Sequence, residues 1–258
     1  MGEALVAGLI RGSVTSPEAI RVADIAAGRL DLLRETYKIG IAGSNAEAAD
    51  GADFLLLAVK PQDFPKVASS ISGKLAGEAT VISIMAGVTL QQLSLGLKHD
   101  GVVRAMPNTP AQIGEGMTVW TATAGVSETA RHEVSRILTT LGKSEFVPEE
   151  KYVDMATALS GSGPGYVFLF IEALIDAGVH IGLSRPLATE MALQTVAGSA
   201  RFAQETGKHP AELRNMVTSP GGTTAEGLQV LEASGLRASV TDAVLSAYEK
   251  ARRLGGGS

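Results

Sequence analysis

Short apolar runs rich in β-branched residues alternate with helical segments over the first 148 or so residues. The run DFLLLAV is apolar without polar alternation, which is typical of a strand buried on both faces of a sheet. Alternating strands and helices predict a largely parallel sheet covered by helices. The predicted strands are 20–24, 53–59, 79–85, 102–106, 117–120 and 145–147, and the predicted helices are 31–37, 62–71, 89–97 and 127–141.

The pattern changes after VPEEKYVD, because no later segment has the period of a strand. Ala-, Leu- and Met-rich segments with helical spacing run to residue 254, with breaks at 161–165, 182–186, 207–210 and around 220. Several of these segments are apolar on every side, and such a helix must be buried. About a hundred helical residues seldom bury that much surface alone, so we expect a subunit interface in this half.

Composition narrows the class of protein. The 258 residues are 45% hydrophobic and 19% charged, as in ordinary globular proteins. We expect no membrane span, because the most apolar stretch, 166–175, is interrupted by Glu172. No basic leader precedes an apolar core, so no secretory signal is expected. Cysteine is absent, which fits a reducing compartment, and we expect a cytoplasmic protein.

Charge and histidine content argue against two further kinds of partner. The net charge is −5 and neither half has a basic surplus, so nucleic acid is an unfavourable partner. Aromatic residues make up only 4% of the chain, too few for a base-stacking surface. The four histidines are scattered without carboxylate companions, and we therefore expect no metal site.

The stretch SPGGTTAEGLQVLEASG joins two predicted helices. Thr223 and Glu226 fit the two ends of a capping box, and Gly235 fits a left-handed C-terminal position, which predicts a helix over 224–234. The glycines before it, Gly221 and Gly222, let a ligand approach the backbone. Free amides at a helix start favour a carboxylate, with hydroxyls nearby on Ser219, Thr223 and Thr224. A well-capped helix connection without a ligand explains the same residues.

Three predicted strands end in small or proline-fixed residues, in AVKPQ, MAGVT and AMPNTP. Open sheets of this kind bind ligands at the carboxyl ends of their strands. The start, MGEALVAGLIRG, is similar to the end of the dinucleotide fingerprint, with the last glycine opening a helix. The first strand and the two earlier glycines are absent from the sequence. We interpret the start as an internal methionine of a longer protein.

With these residues in view, the chain resembles the pyrroline-5-carboxylate reductase family from Met1 to about Arg253. Five stretches carry the resemblance, in this order: LLLAVKPQ, MAGVT, VVRAMPNTP, LSGSGPGYVF and VTSPGGTTAEGLQVLE. The resemblance implies an α/β Rossmann-type NAD(P)-binding domain over 1–150, without its first strand. It implies an all-α substrate-binding and dimerisation domain over 151–258. The implied reaction is reduction of 1-pyrroline-5-carboxylate to L-proline, the last step of proline biosynthesis.

The resemblance also assigns site residues. The substrate carboxylate would bind at Gly221, Gly222, Thr223 and Thr224 together with Ser219, and Thr224 would hydrogen-bond the ring nitrogen as the proposed proton donor. The alternative left open is that Thr224 only holds the nitrogen while solvent supplies the proton. The cofactor positions matched by the resemblance are Gly2, Asn45, Ala58, Lys60, Pro61, Ala86, Gly87 and Asn108. The segment Gly161-Ser162-Gly163-Pro164 matches a turn that opens a helix near the subunit interface.

In a Rossmann-type domain, the residues that follow the second strand influence the choice between NADH and NADPH. Asp24 lies where an acidic side chain commonly holds a ribose hydroxyl and repels a 2′-phosphate. Arg29 is close enough in sequence to offset that charge, and the family generally favours NADPH. We therefore expect NADP(H), with NAD(H) as the alternative, and self-association as a dimer or a multiple of dimers.

Two alternative functions remain open from the sequence. A related imine or β-hydroxyacid reductase is disfavoured in its hydroxyacid form, since GYVFLFIEALIDAG lacks the lysine that those enzymes place on this helix. The second is a non-catalytic, helix-swapped dimer that has lost cofactor binding, which the incomplete glycine motif makes worth testing. The closing Gly-Gly-Gly-Ser is expected to be a tail without function.

Overall fold

The computed structural model describes residues 1–256 and divides the chain into two compact units. Unit 1 comprises Met1–Ser162 together with Ser246–Ser258, and unit 2 comprises Gly163–Leu245. The change from strands to helices falls near residue 150, whereas the compact units divide at residue 162, because the first helical segment after the last strand stays with the sheet. Of the closing tail, Gly255 and Gly256 form a turn, and Gly257 and Ser258 lie outside the described residues.

The described residues of unit 1 form seven short strands in two sheets. β1 and β2 pair in parallel as a two-stranded sheet, and the other five form a sheet in the order β3-β4-β5-β6-β7, in which only β5 and β6 pair antiparallel. The predicted, largely parallel sheet is therefore confirmed. The strands are β1 Arg21–Val22, β2 Gly40–Ile41, β3 Phe54–Leu57, β4 Thr80–Ser83, β5 Val102–Met106, β6 Gly116–Ala122 and β7 Gly142–Phe146.

Twelve α-helices are present in the described residues, and those of unit 1 cover the sheets. The hydrophobic pattern does not predict β2 or α3, because a two-residue strand and a five-residue helix are too short to show a period. The helices are α1 Gly2–Arg11, α2 Ala27–Tyr37, α3 Asn45–Ala49, α4 Phe64–Ile71, α5 Leu90–Leu97, α6 Glu128–Thr139, α7 Lys151–Ala156, α8 Gly163–His180, α9 Arg185–Thr206, α10 Pro210–Met216, α11 Thr223–Ala233 and α12 Leu236–Leu254.

The core of unit 1 lies on both faces of the larger sheet. One cluster packs α4 and α5 against β4, around Val81, Leu93 and Leu97, and the other packs α1 and α6 against β5, around Val103 and Leu138. All five of these side chains are fully buried. The strand β3 within DFLLLAV contacts both clusters, through Leu55 and Leu57 on one face and Phe54 and Leu56 on the other, which explains the missing polar alternation. The predicted full burial holds only for Leu57, because β3 is the edge strand of the sheet.

The predicted helix break at 161–165 is present but is limited to one non-helical residue, Ser162. A π-helical turn, Thr157–Gly161, follows α7 directly and leads into α8. Ser162 donates its hydroxyl back to the carbonyl of Thr157, at 3.0 Å. π-turns of this kind are rare and occur often at functional sites.

Unit 2 consists of helices with almost no interior of its own. Its buried residues are only Ala188 and Ala192 of α9, while α8 has none. Large apolar side chains of α8 are exposed, among them Phe168 and Leu169. The expectation of no apolar segment long enough to span a membrane needs correction. In the described residues, the helical stretch Lys151–His180 is long and apolar enough to cross a membrane, by length and composition alone.

Candidate functional site

The Ser-Pro-Gly-Gly segment of unit 2 forms a tight turn. The Gly222 amide donates to the Ser219 carbonyl at 3.0 Å, and Gly221 has φ +68°. A proline followed by a residue with positive φ is the arrangement of a type II turn, which only glycine enters without strain. The physical reason for Pro220-Gly221 is therefore this reversal of the chain directly before α11.

The start of α11 differs from the predicted capping box. Gly222 is the N-cap residue, Thr223 is already the first helical residue, and no side chain caps the helix. The predicted cap by Thr223 is therefore wrong, because the turn brings the helix start forward by one residue. The amide of Ala225 donates to the Gly222 carbonyl at 3.0 Å, so the helix start leaves the amides of Thr223 and Thr224 without an intrahelical acceptor.

These two amides make the helix start a place for an anion. The helix dipole adds positive potential at the same point, and α11 is eleven residues long. Thr223 is exposed and Thr224 is half-buried, and Ser219 is exposed on the turn before them. The Gly222 amide, which the sequence proposed as a further donor, is already used in the turn. The arrangement suits one small carboxylate with hydroxyls at its side.

In unit 1, the expected cofactor residues follow the carboxyl ends of parallel strands. Ala58, Lys60 and Pro61 follow β3, Ala86 and Gly87 follow β4, and Asn108 follows β5. Because these three strands are parallel neighbours, their carboxyl ends share one edge of the sheet. Asn45 begins α3, after β2 of the smaller sheet.

The helix α1 begins beside this edge. A β-carbon built on Gly2 would lie 3.4 Å from that of Ala58, so the two residues are in direct proximity. Met1 is the N-cap residue and provides no side-chain cap, which leaves the first amides of the ten-residue helix for an external acceptor. Ala58, Lys60 and Pro61 are exposed. A phosphate-bearing cofactor fits this set of backbone donors with a lysine nearby.

Two of the expected cofactor residues already have protein partners. Asn108 donates to the Ser160 carbonyl at 3.0 Å and accepts the Met117 amide at 2.9 Å, which joins the end of β5 to the π-turn and to β6. The Asn45 amide lies 3.5 Å from the Ser70 hydroxyl of α4. These contacts hold the loops in place, and ligand binding by the two side chains stays a prediction.

Gly87 is needed for a close approach within unit 1. Its φ is +75°, and a β-carbon there would lie 2.5 Å from that of Leu254. The last turn of α12 therefore packs on the loop that follows β4. The sequence resemblance assigned Gly87 to the cofactor, but this contact with the C-terminal helix accounts for the glycine by itself.

The residues after β1 form a charged group. Asp24 accepts the Ala26 amide at 2.9 Å through Oδ1. Arg29 forms an ion pair with Glu3 of α1, and the Tyr37 hydroxyl donates to the same carboxylate at 3.1 Å. Partial burial, followed by the hydrogen bond to Glu3, raises the pKa of Tyr37.

Sequence reasoning missed one buried ionic group. Arg104 in β5 is 1% exposed and pairs with Glu150 at 2.8 Å and with Asp154 of α7 at 2.6 Å. Glu150 also accepts the amide of Leu90, the first residue of α5, at 2.8 Å. The sequence did contain a signal, an arginine inside the apolar strand VVRAM. A buried charge requires a partner of opposite charge, and the carboxylates of PEEKYVD are that partner.

Comparisons with known proteins show which family the chain belongs to. Residues 150–254 match the family model described as pyrroline-5-carboxylate reductase dimerisation, and residues 1–87 match that of NADP oxidoreductase, coenzyme F420-dependent. A pyrroline-5-carboxylate reductase of Synechocystis sp. is 44% identical over 99% of this chain and 95% of its own length. The chain belongs to the pyrroline-5-carboxylate reductase family. The Escherichia coli reductase is 42% identical over 98% of this chain and 94% of its own.

Solved pyrroline-5-carboxylate reductases share the whole fold. The Coxiella burnetii enzyme has a TM-score of 0.90 at 35% identity, covering 98% of this chain and 94% of its own. The Plasmodium falciparum enzyme, solved with NADP bound, has a TM-score of 0.90 at 34% identity, covering 99% and 94%. The predicted fold class, a Rossmann-type domain followed by a helical dimerisation domain, is confirmed, and so are the use of NAD(P)H and self-association.

Proposed function

We propose that the chain reduces 1-pyrroline-5-carboxylate to L-proline with NAD(P)H as the reductant. The observation that carries the proposal is the 44% identity to a pyrroline-5-carboxylate reductase over 255 residues, which includes the positions of both candidate sites. A related imine reductase and a non-catalytic dimer are both less favoured, because such likeness extends over the cofactor half as well as the helical half.

The chain's own residues would bind and orient the substrate. The amides of Thr223 and Thr224 would hold the carboxylate, assisted by the α11 dipole and the Ser219 hydroxyl. The half-buried Thr224 would hydrogen-bond the ring nitrogen, which takes up a proton from it or from solvent as the C=N bond is reduced. A protonated imine accepts hydride readily, so most of the catalytic effect comes from positioning, and no catalytic His, Cys or carboxylate pair is required.

The cofactor would be held at the carboxyl edge of the larger sheet. The first amides of α1 and the Lys60 side chain would bind phosphate, and the exposed backbone at Ala58 and Pro61, with the loop of Ala86 and Gly87, would line the ring systems. Bound NAD(P)H supplies the hydride. Asn45 and Asn108 would act mainly by fixing the loops that carry these groups.

The helical unit would self-associate as an interlocked dimer, or as a multiple of dimers. Its support is the exposed apolar surface of α8 together with the match of residues 150–254 to a dimerisation model. A partner helix that covers Phe168 and Leu169 would bury the surface that unit 2 cannot bury itself. We place this activity in the cytoplasm, in keeping with a chain that contains no cysteine.

The test is oxidation of NADH and of NADPH by the purified protein in the presence of 1-pyrroline-5-carboxylate, with the product identified as L-proline. The matched control is 1-pyrroline, the same ring without the carboxylate. We expect turnover with the acid and a large loss of kcat/KM with the control, because the control offers nothing to the α11 amides. No substrate-dependent oxidation with either cofactor would refute the proposed function.

A further inference from the structure

We propose that this reductase prefers NADH to NADPH, through Asp24 and the residues that surround it after β1. The inference rests on the proposed function. It concerns the part of the cofactor site that would contact the adenosine ribose, where NADPH differs from NADH by one 2′-phosphate. Rossmann-type domains hold the ribose hydroxyls with an acidic residue about 20 residues after the glycine motif, and they use an arginine there for the 2′-phosphate.

Asp24 occupies this acidic position. It follows β1, the strand that comes after α1. Its Oδ1 accepts the Ala26 amide at 2.9 Å, which fixes the carboxylate beside the start of α2. In the described part of the chain Oδ2 has no hydrogen-bond partner and is therefore available to a ribose hydroxyl. A second anion at the same point would be repelled by this carboxylate.

The next residue provides no compensating charge. Ile25 is fully exposed, at 101% of its reference area, and nothing in the protein packs against it. A long cation at this exposed position would be able to reach a 2′-phosphate, whereas isoleucine offers neither charge nor a hydrogen bond. The loop after β1 thus presents a carboxylate followed by an apolar side chain.

The nearby arginines are engaged elsewhere. Arg29, the residue expected from the sequence to offset Asp24, is paired with Glu3, which also accepts the Tyr37 hydroxyl. Arg21 donates to the carbonyl of Asp50. Arg34 pairs with Asp31 at 2.7 Å.

The net charge of the groups around Asp24 favours NADH over NADPH. The Arg29–Glu3 pair is exposed and weak, so a phosphate could compete for the guanidinium. That exchange would leave Glu3 unpaired while Asp24 still repels the phosphate. Two carboxylates and one guanidinium, with a net charge of −1, therefore suit a ribose hydroxyl and oppose a 2′-phosphate, which carries almost two negative charges.

The experiment measures the dissociation constants of NADH and NADPH by calorimetry without substrate, so that it does not depend on turnover. We expect NADH to bind about ten- to a hundredfold more tightly, the value of a charge-assisted hydrogen bond. Asp24→Asn keeps an oxygen for the Ala26 amide but loses the charge, and Glu3→Gln frees Arg29. Each variant should move the ratio towards NADPH. Asp31→Asn, which removes a carboxylate from α2 that is paired with Arg34, is the control and should leave the ratio unchanged.

Equal binding of the two cofactors, tighter binding of NADPH, or binding of neither would overturn the inference. So would an unchanged ratio in Asp24→Asn. Preferential binding of NADH without any reduction of 1-pyrroline-5-carboxylate would support the inference and refute the proposed function, so the two failures are distinguishable. AMP and adenosine 2′-phosphate, used as competitors of NADH, locate the discrimination at the ribose, since they differ in the position of the phosphate relative to Asp24.

Discussion

Arg104 of β5 and Asp154 of α7 form an ion pair of 2.6 Å that joins the sheet of unit 1 to the first helix after it. The arginine side chain is almost completely buried, while Asp154 and its neighbour Glu150 are partly exposed. Glu150 extends the contact to the start of α5, immediately after the loop of Ala86 and Gly87. One guanidinium therefore ties together three elements around the expected cofactor edge.

Replacing Arg104 should destabilise the protein. Arg104→Met keeps much of the side-chain volume but leaves two carboxylates without their cation, and we expect a loss of about 3 kcal/mol in the free energy of unfolding. Urea denaturation followed by circular dichroism measures it. Arg34→Met removes an exposed pair and should cost at most about 1 kcal/mol. Equal losses in the two variants would contradict the role of Arg104.

Thr224→Ala should lower kcat/KM by roughly ten- to a thousandfold if the hydroxyl binds the ring nitrogen in the transition state. Steady-state kinetics with 1-pyrroline-5-carboxylate measures the loss. Thr224→Ser retains a hydroxyl and should recover most of the activity. Kinetics of Thr224→Ala that match those of the unsubstituted protein would remove Thr224 from the mechanism.

Thr223→Pro should weaken carboxylate binding without disturbing the helix. Thr223 is the first residue of α11, where proline is favoured, and Gly222 has φ −83° and ψ 164°, which a following proline allows. The substitution removes one amide donor, and we expect KM to rise about tenfold or more. Thr223→Ser keeps both the amide and the hydroxyl and serves as the control. A similar KM for the two variants would assign the carboxylate to other donors.

Leu169→Glu should disrupt self-association. Leu169 is 67% exposed on α8, and a charge on an apolar face buried between subunits is costly. Sedimentation velocity should show a shift to smaller species. Leu95→Glu is the matched control, because Leu95 of α5 is 71% exposed in unit 1 and should tolerate the charge. A Leu169→Glu protein that keeps its oligomeric state would place the interface elsewhere.

The pKa of Glu232 should lie below the ordinary value of a glutamate, because Arg237 donates hydrogen bonds to its carboxylate and Arg214 adds a further positive charge. Since the folded pKa is lowered, this group stabilises the fold above its unfolded pKa, and that contribution is lost as the pH falls through the folded pKa. NMR titration of the carboxyl group measures the shift. Arg237→Gln should raise the pKa towards its ordinary value, and no change in that variant would exclude Arg237 as the cause.

The sequence by itself determined the order of most elements, the kind of sheet and the family. The alternation of short apolar runs with segments of helical period indicates a largely parallel sheet covered by helices, and this signal lies in the local sequence. The pattern also located the turn before α11, since Pro220 and Gly221 restrict the backbone wherever they occur. It could not predict β2 or α3, whose few residues carry no period of their own.

Tertiary structure decided which polar groups remain available to a ligand. The sequence shows two glycines and two threonines, but only the folded turn uses the Gly222 amide and leaves those of Thr223 and Thr224. Likewise Arg29 is near Asp24 along the chain, yet its partner is Glu3, 26 residues away. Hydrogen bonds and ion pairs form between groups that packing brings together, and sequence separation does not measure that distance.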